Sequence, residues 1–126
     1  MKFSFSKDVT YVPEWQGNDQ LPKKEQFTCK LTTLNMASLM LIADAFQEAG
    51  VSGDNTTVEP NKMKPILDQI GPLLPKHVEV DGLYDDKGAK ITIEEIVEYP
   101  VFLGLAIELL MKLSEISSPS DADVKN

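Results

Sequence analysis

Val101–Leu113 reads VFLGLAIELLMKL, the most apolar run in the chain, and its interruptions decide how it must fold. Only Gly104, Glu108 and Lys112 are not apolar. Spaced four apart, they fall in one narrow stripe on a 3.6-residue helix and leave the remaining circumference to Val, Phe, Leu, Ala, Ile and Met. Such a helix cannot turn half its surface to water. It is either the central helix of a small domain, covered from several sides, or it buries one side at home and offers another to a partner chain. These 13 residues rise about 20 Å as a helix, short of the roughly 20 residues a bilayer needs, so a membrane-spanning role is not expected.

Working outward from this run, ITIEEIVEY (91–99) places Thr92 and Glu95 at capping-box spacing, opening a short helix that Pro100 breaks before the central one. Further upstream, HVEVDGLYDDKGAKIT (77–92) alternates at Val78 and Val80 and then turns at DDKG, which predicts a short hairpin or an ordered loop. NKMKPILDQIGPLLPK (61–76) spaces Met63, Ile66, Leu67, Ile70, Leu73 and Leu74 by three and four, an amphipathic helix. Pro65 is expected in its first turn, and Pro72 with Pro75 should end or kink it. LNMASLMLIADAFQEA (34–49) is a second helix apolar around most of its girth, with Thr32 and Thr33 offering an N-cap and Gly50 at the C′ position. Residues 51–60 read as a polar loop.

In Glu25–Thr32, Phe27, Cys29 and Leu31 fall on one face of a half-buried strand. Residues 1–12 alternate weakly through Phe3, Phe5, Val9 and Tyr11, a short strand or extended arm that Pro13 should end. PEWQGNDQLP (13–22) is rich in turn formers and reads as a loop anchored by Trp15. The pattern predicts an α+β fold, predominantly helical, with about four helices, a small N-terminal β element and a possible hairpin. Residues 1–116 are expected to form a single globular domain and the acidic tail 117–126 to be disordered.

Composition narrows the function classes. At 126 residues, 42% apolar and 25% charged, the chain can bury a core without staples. A net charge of −8 argues against nucleic acid, because affinity there comes from cations neutralising phosphates. All 12 basic residues are lysines, so the bidentate fork that arginine offers to phosphates and carboxylates is absent as well. The lone Cys29 allows no intramolecular disulfide, and MKFSFSKDVTYV shows no apolar signal core or cleavage site. A cytoplasmic location follows as the expectation.

Catalytic patterns mostly fail. His77 and Cys29 are single examples of their types, so neither a Cys/His zinc site nor a pair of histidine ligands can be assembled within one chain. No G-x-S-x-G turn presents a serine to His77, and Cys29 on the apolar face of a strand suits a buried hydrophobe. A calcium loop with Gly88 at its glycine position and Glu94 at its twelfth would put Leu83 first and Lys87 fifth, and neither supplies the required oxygen. Glu94, Glu95 and Glu98 are explained by the helix dipole, and Glu108 with Lys112 forms an i,i+4 pair in the stabilising orientation. Neither a catalytic, a metal nor a cofactor site is expected, and the chain is read as a non-enzyme.

The segment P-x-W-x-G-N-x-x-L-P-x-x-E-Q, here Pro13, Trp15, Gly17, Asn18, Leu21, Pro22, Glu25 and Gln26, runs into the Phe27 strand. With the hydrophobic helix that follows and an acidic C-terminal half ending ITIEEIVEYPVFLGLAIELL, it resembles the small tail assembly chaperones of long-tailed bacteriophages. The resemblance implies a mainly helical, non-enzymatic protein of the host cytoplasm that covers the tape-measure protein until tail-tube subunits replace it. A surplus of apolar helix surface on an acidic body suits that role and predicts a homo-oligomer that binds the tape-measure protein or another tail protein, with no nucleic-acid or membrane partner. Met36, Met40, Phe46, Phe102, Leu105, Leu109 and Leu113 are the expected interaction residues. A tail or head-to-tail connector subunit of the virion, and an acidic regulator or inhibitor of a basic partner, are the rival readings.

Overall fold

The computed structural model describes residues 1–50 and 60–119. Three short strands, β1 (Asp8–Tyr11), β2 (Thr28–Thr32) and β3 (Val78–Asp81), form an antiparallel sheet in the order β1-β2-β3. Val9 pairs with Leu31 and Cys29 with Val80, so the apolar residues of all three strands share one face. Cys29, Leu31, Val78 and Val80 are buried there, while Lys30, Glu79 and Asp81 on the opposite face are exposed.

The helices are α1 (Met36–Ala49), α2 (Pro60–Ile70), α3 (Leu73–His77), α4 (Ile93–Glu98) and α5 (Leu103–Ser117). The result is the predicted α+β architecture with helix predominating. α5 is the central element: α1, α3 and α4 all pack on it, and Leu105, Ala106, Leu109, Leu110 and Leu113 are fully buried. A 3-10 turn over Pro100–Phe102 leads into it. At its far end the Ser117 hydroxyl accepts the Leu34 amide at 2.8 Å, tying the helix to the chain entering α1. Ser117 is thus held as the last residue of α5; positions 120–126 of the expected tail 117–126 lie outside the described residues, as do 51–59 of the polar loop 51–60.

Local signals account for most boundaries. Thr92 and Glu95 close both arms of the capping box at α4, and Gly50, with φ of 73°, ends α1 in the left-handed conformation. The N-cap of α1 is Asn35, whose side chain accepts the Ser38 amide at 2.8 Å, rather than Thr32 or Thr33. Those threonines are already engaged at the sheet: Thr32 ends β2, and the Thr33 amide donates to the Lys7 carbonyl at 3.2 Å.

Two corrections concern 60–77. Pro65 lies inside α2 rather than in its first turn, because the helix begins at Pro60. The chain then breaks between α2 and α3 at Gly71, whose amide donates to the Leu67 carbonyl at 2.9 Å. A Cβ on Gly71 would stand 2.4 Å from that oxygen, so the break depends on glycine. The Val78–Val80 alternation pairs with β2 instead of forming a hairpin of its own. An isolated bridge between Tyr84 and Lys90 closes the DDKG turn, where Asp85 Oδ1 accepts the Lys87 and Ala89 amides.

Candidate interaction surface

The polar stripe of α5 is partly covered, because the N-terminal segment lies along it. Glu108 accepts hydrogen bonds from the Tyr11 hydroxyl at 2.6 Å and from the Glu14 amide at 2.7 Å. Gly104 admits the Trp15 ring, which a Cβ there would meet at 3.5 Å. Lys112 stands 5.2 Å from the centre of the Tyr11 ring and pairs with Glu115 at 3.2 Å, so the expected Glu108–Lys112 pair is not formed. Glu108 is instead spent on holding the chain that carries it past Pro13.

The residues of the P-x-W-x-G-N segment are architectural. Trp15 packs on Phe27 and Phe102 at ring distances of 6.3 and 5.6 Å. Asn18 is buried, donates to the carbonyls of Pro13 and Phe27 and accepts the Phe27 amide at 2.9 Å. This clamp satisfies three backbone groups where the loop turns back into β2. The Gln26 side chain adds bonds to the carbonyls of Asp19 and Leu21. The loop makes a 3-10 helix over Trp15–Gln20, kinked where Gln16 and Gly17 take positive φ.

The expected interaction residues separate into two groups. Leu105, Leu109 and Leu113 are completely buried and Phe46 is 8% exposed, so these four belong to the core and cannot meet a partner. The physical reason for the three leucines is that α1, α3, α4 and the N-terminal segment close over the faces of α5 that carry them. Phe102 is half-buried against Trp15. Only Met36, 70% exposed, and Met40, 53% exposed, stand free.

These two methionines define a face. On α1, Met36, Met40, Ala43 and Gln47 follow one another at helical spacing and all are exposed, while Ile42, Ala45 and Phe46 turn inward. Asp44 and Glu48 run along one side of this face, and the helix has no basic residue. The arrangement is a narrow, flexible apolar strip with an acidic border. Reading the sequence missed a second set of exposed apolar side chains: Met1, Phe3 and Phe5 ahead of β1, and Tyr84, Tyr99 and Val101. For Phe3 and Phe5 the period-two signal was present, but it did not say that none of the described residues covers them.

Chemistry is poorly supplied elsewhere. Burial, and secondarily the charge of Glu108, pushes the Cys29 thiol up to about 12, so it stays protonated and unreactive. His77 Nδ1 lies 3.2 Å from the Thr32 carbonyl at the end of α3. A groove of about 640 Å³ runs between the outer face of the sheet and Lys90–Glu94. Two of its three lysines are already paired, Lys30 with Asp8 and Lys90 with Asp81, each at 3.5 Å, and Lys76 is exposed. Among the described residues no group of three or more His, Cys, Asp or Glu is placed to hold a metal ion, and no helix is long and apolar enough to cross a membrane. No family model, curated protein or solved structure matches the chain.

Proposed function

We propose that this protein is a non-enzymatic tail assembly chaperone of the long-tailed-phage type, acting in the host cytoplasm by binding the hydrophobic, helical tape-measure protein or another tail protein. The observation that carries the reading is the α1 strip of Met36, Met40 and Ala43, an apolar face that is exposed among the described residues. An amphipathic helix laid along that strip would bury its own apolar stripe and meet Asp44 and Glu48 with basic flanks. Methionine suits a contact that must accept many successive side chains of one long partner, and a strip this narrow suits a contact that must later release.

The test is co-purification with the tape-measure protein expressed from the same genome, comparing the wild type with the Met36→Glu/Met40→Glu double variant. The expected outcome is retention weakened by about tenfold or more. Helical circular dichroism should be unchanged, because both positions are on the surface. Equal retention of the double variant, or presence of the protein in finished virions at structural stoichiometry, overturns the reading.

A further inference from the structure

The N-terminal arm of residues 1–7 has the pattern of a strand without a strand's partner. Met1, Phe3 and Phe5 alternate with Lys2, Ser4 and Ser6, and after Lys7 the same parity resumes at Val9 and Tyr11. Val9 and Tyr11 pair with β2, whereas Phe3 is 83% exposed and Phe5 fully exposed. The arm leaves the sheet at Lys7, whose carbonyl accepts the Thr33 amide, and bends at Phe5, where the Ser4 hydroxyl donates to the Ser6 carbonyl. β1 is an edge strand.

The hydrogen-bond phase of that edge is readable. Because Lys7 bonds toward β2, alternation along an antiparallel ladder turns the N–H and C=O groups of Val9 and Tyr11 the same way, and those of Asp8 and Thr10 outward. Even-numbered residues therefore present the free edge. A strand that pairs with it antiparallel about a two-fold axis must set even residues opposite even residues, which keeps every odd residue on the apolar face.

We infer that residues 1–11 are a dimerisation strand, pairing antiparallel with the same residues of a second copy about an axis at Ser6 and joining two three-stranded sheets into one of six. Ser6 then faces Ser6, Ser4 faces Asp8 and Lys2 faces Thr10 in hydrogen-bonded pairs, while on the other side Phe3 faces Val9, Met1 faces Tyr11 and Phe5 lies against the aliphatic stem of the second copy's Lys7. Lys2 becomes the diagonal neighbour of the second copy's Asp8. Charge complementarity is local to this register: the arm has two lysines and no carboxylate, and the residues it reaches on the second copy include Asp8. The only local interaction given up is the exposed Ser4–Ser6 bond. Pairing also covers an edge that otherwise invites unspecific association.

The inference does not depend on the tape-measure reading, and the experiment separates them. Sedimentation of the full chain over a hundredfold dilution range should show a monomer–dimer equilibrium. Ser4→Pro/Ser6→Pro removes two outward N–H donors, and Phe3→Ser/Phe5→Ser removes the Phe3–Val9 pairs and the Phe5 contacts with the Lys7 stems. Each double variant should weaken the dimer by about tenfold or more. Helical circular dichroism should be unaffected, because these side chains touch nothing in the core. Met36→Glu/Met40→Glu should leave the dimer intact. A wild type that is monomeric at every concentration, or an oligomer that both arm variants leave unchanged, overturns the inference; an oligomer lost only with the methionine variant transfers association to α1.

Discussion

Asn18 shows how one buried polar side chain can organise a loop. It bonds backbone groups five and nine positions away, at Pro13 and Phe27, so the loop that carries Trp15 cannot shift without stranding them. Asn18→Ala should cost about 2–4 kcal/mol, since it leaves three buried backbone groups without a partner. Urea unfolding followed by Trp15 fluorescence measures it, and a loss under about 0.5 kcal/mol would mean that water replaces the amide. The importance of the Pro13–Gln26 segment was legible in the sequence, but its kind was not. Its residues, Pro13, Trp15, Asn18 and Gln26 among them, serve to fasten the N-terminal segment to β2 and α5. Turn composition announces a loop; which carbonyls an asparagine will reach depends on how that loop closes.

At the scale of the element, α5 and the α2–α3 break make opposite use of glycine. Gly104 lies in the first turn of α5 with the Trp15 ring at ordinary contact distance from an added methyl, 3.5 Å. Gly104→Ala should therefore stabilise the protein by about 0.5–1 kcal/mol through helix propensity, whereas Gly71→Ala should destabilise it by about 2 kcal/mol or more through the clash with the Leu67 carbonyl. Thermal unfolding of the two variants checks both signs, and a Gly104→Ala protein that melts lower would show that Trp15 sits tighter on α5 than the geometry allows. The narrow polar stripe of α5 could be read from spacing alone. That Tyr11, Glu14 and Trp15 cover it could not, because the helix period names a face without naming its neighbour. The same gap explains why Leu105, Leu109 and Leu113 read as a possible partner surface and prove to be core.

For the molecule as a whole, the two strongly perturbed acids point to alkaline lability. Burial first, and then the hydrogen bond and charge of Glu108, hold the Tyr11 phenol well above its ordinary value, and burial raises Cys29 to about 12. Both groups are neutral when protonated. Above their unfolded values, about 8.5 for cysteine and about 10 for tyrosine, the unfolded chain releases protons that the folded chain keeps, so stability falls as pH rises. The contribution is complete below about pH 8.5 and is lost progressively toward the folded values. Melting temperature should start to decline near pH 8.5, and Cys29→Ala, less stable throughout, should delay the onset toward pH 10. An unchanged onset in that variant would assign the decline to repulsion within a chain already at −8.

By itself the sequence determined the kind and order of the elements: the α+β class, the apolar run that became α5, the Phe27-Cys29-Leu31 strand face, the α4 capping box and the Gly50 stop. Each of these depends on residues within a turn or two of one another, where backbone sterics and periodicity act directly. Tertiary structure alone decided which apolar surface is used up. Glu108 meets Tyr11 across 97 positions and Ser117 meets Leu34 across 83, and such closures bury the leucines of α5 while leaving Met36, Met40, Phe3 and Phe5 uncovered. Burial is a property of what the rest of the chain brings to a side chain, so of two equally apolar helices α5 is mostly enclosed while α1 keeps one face exposed.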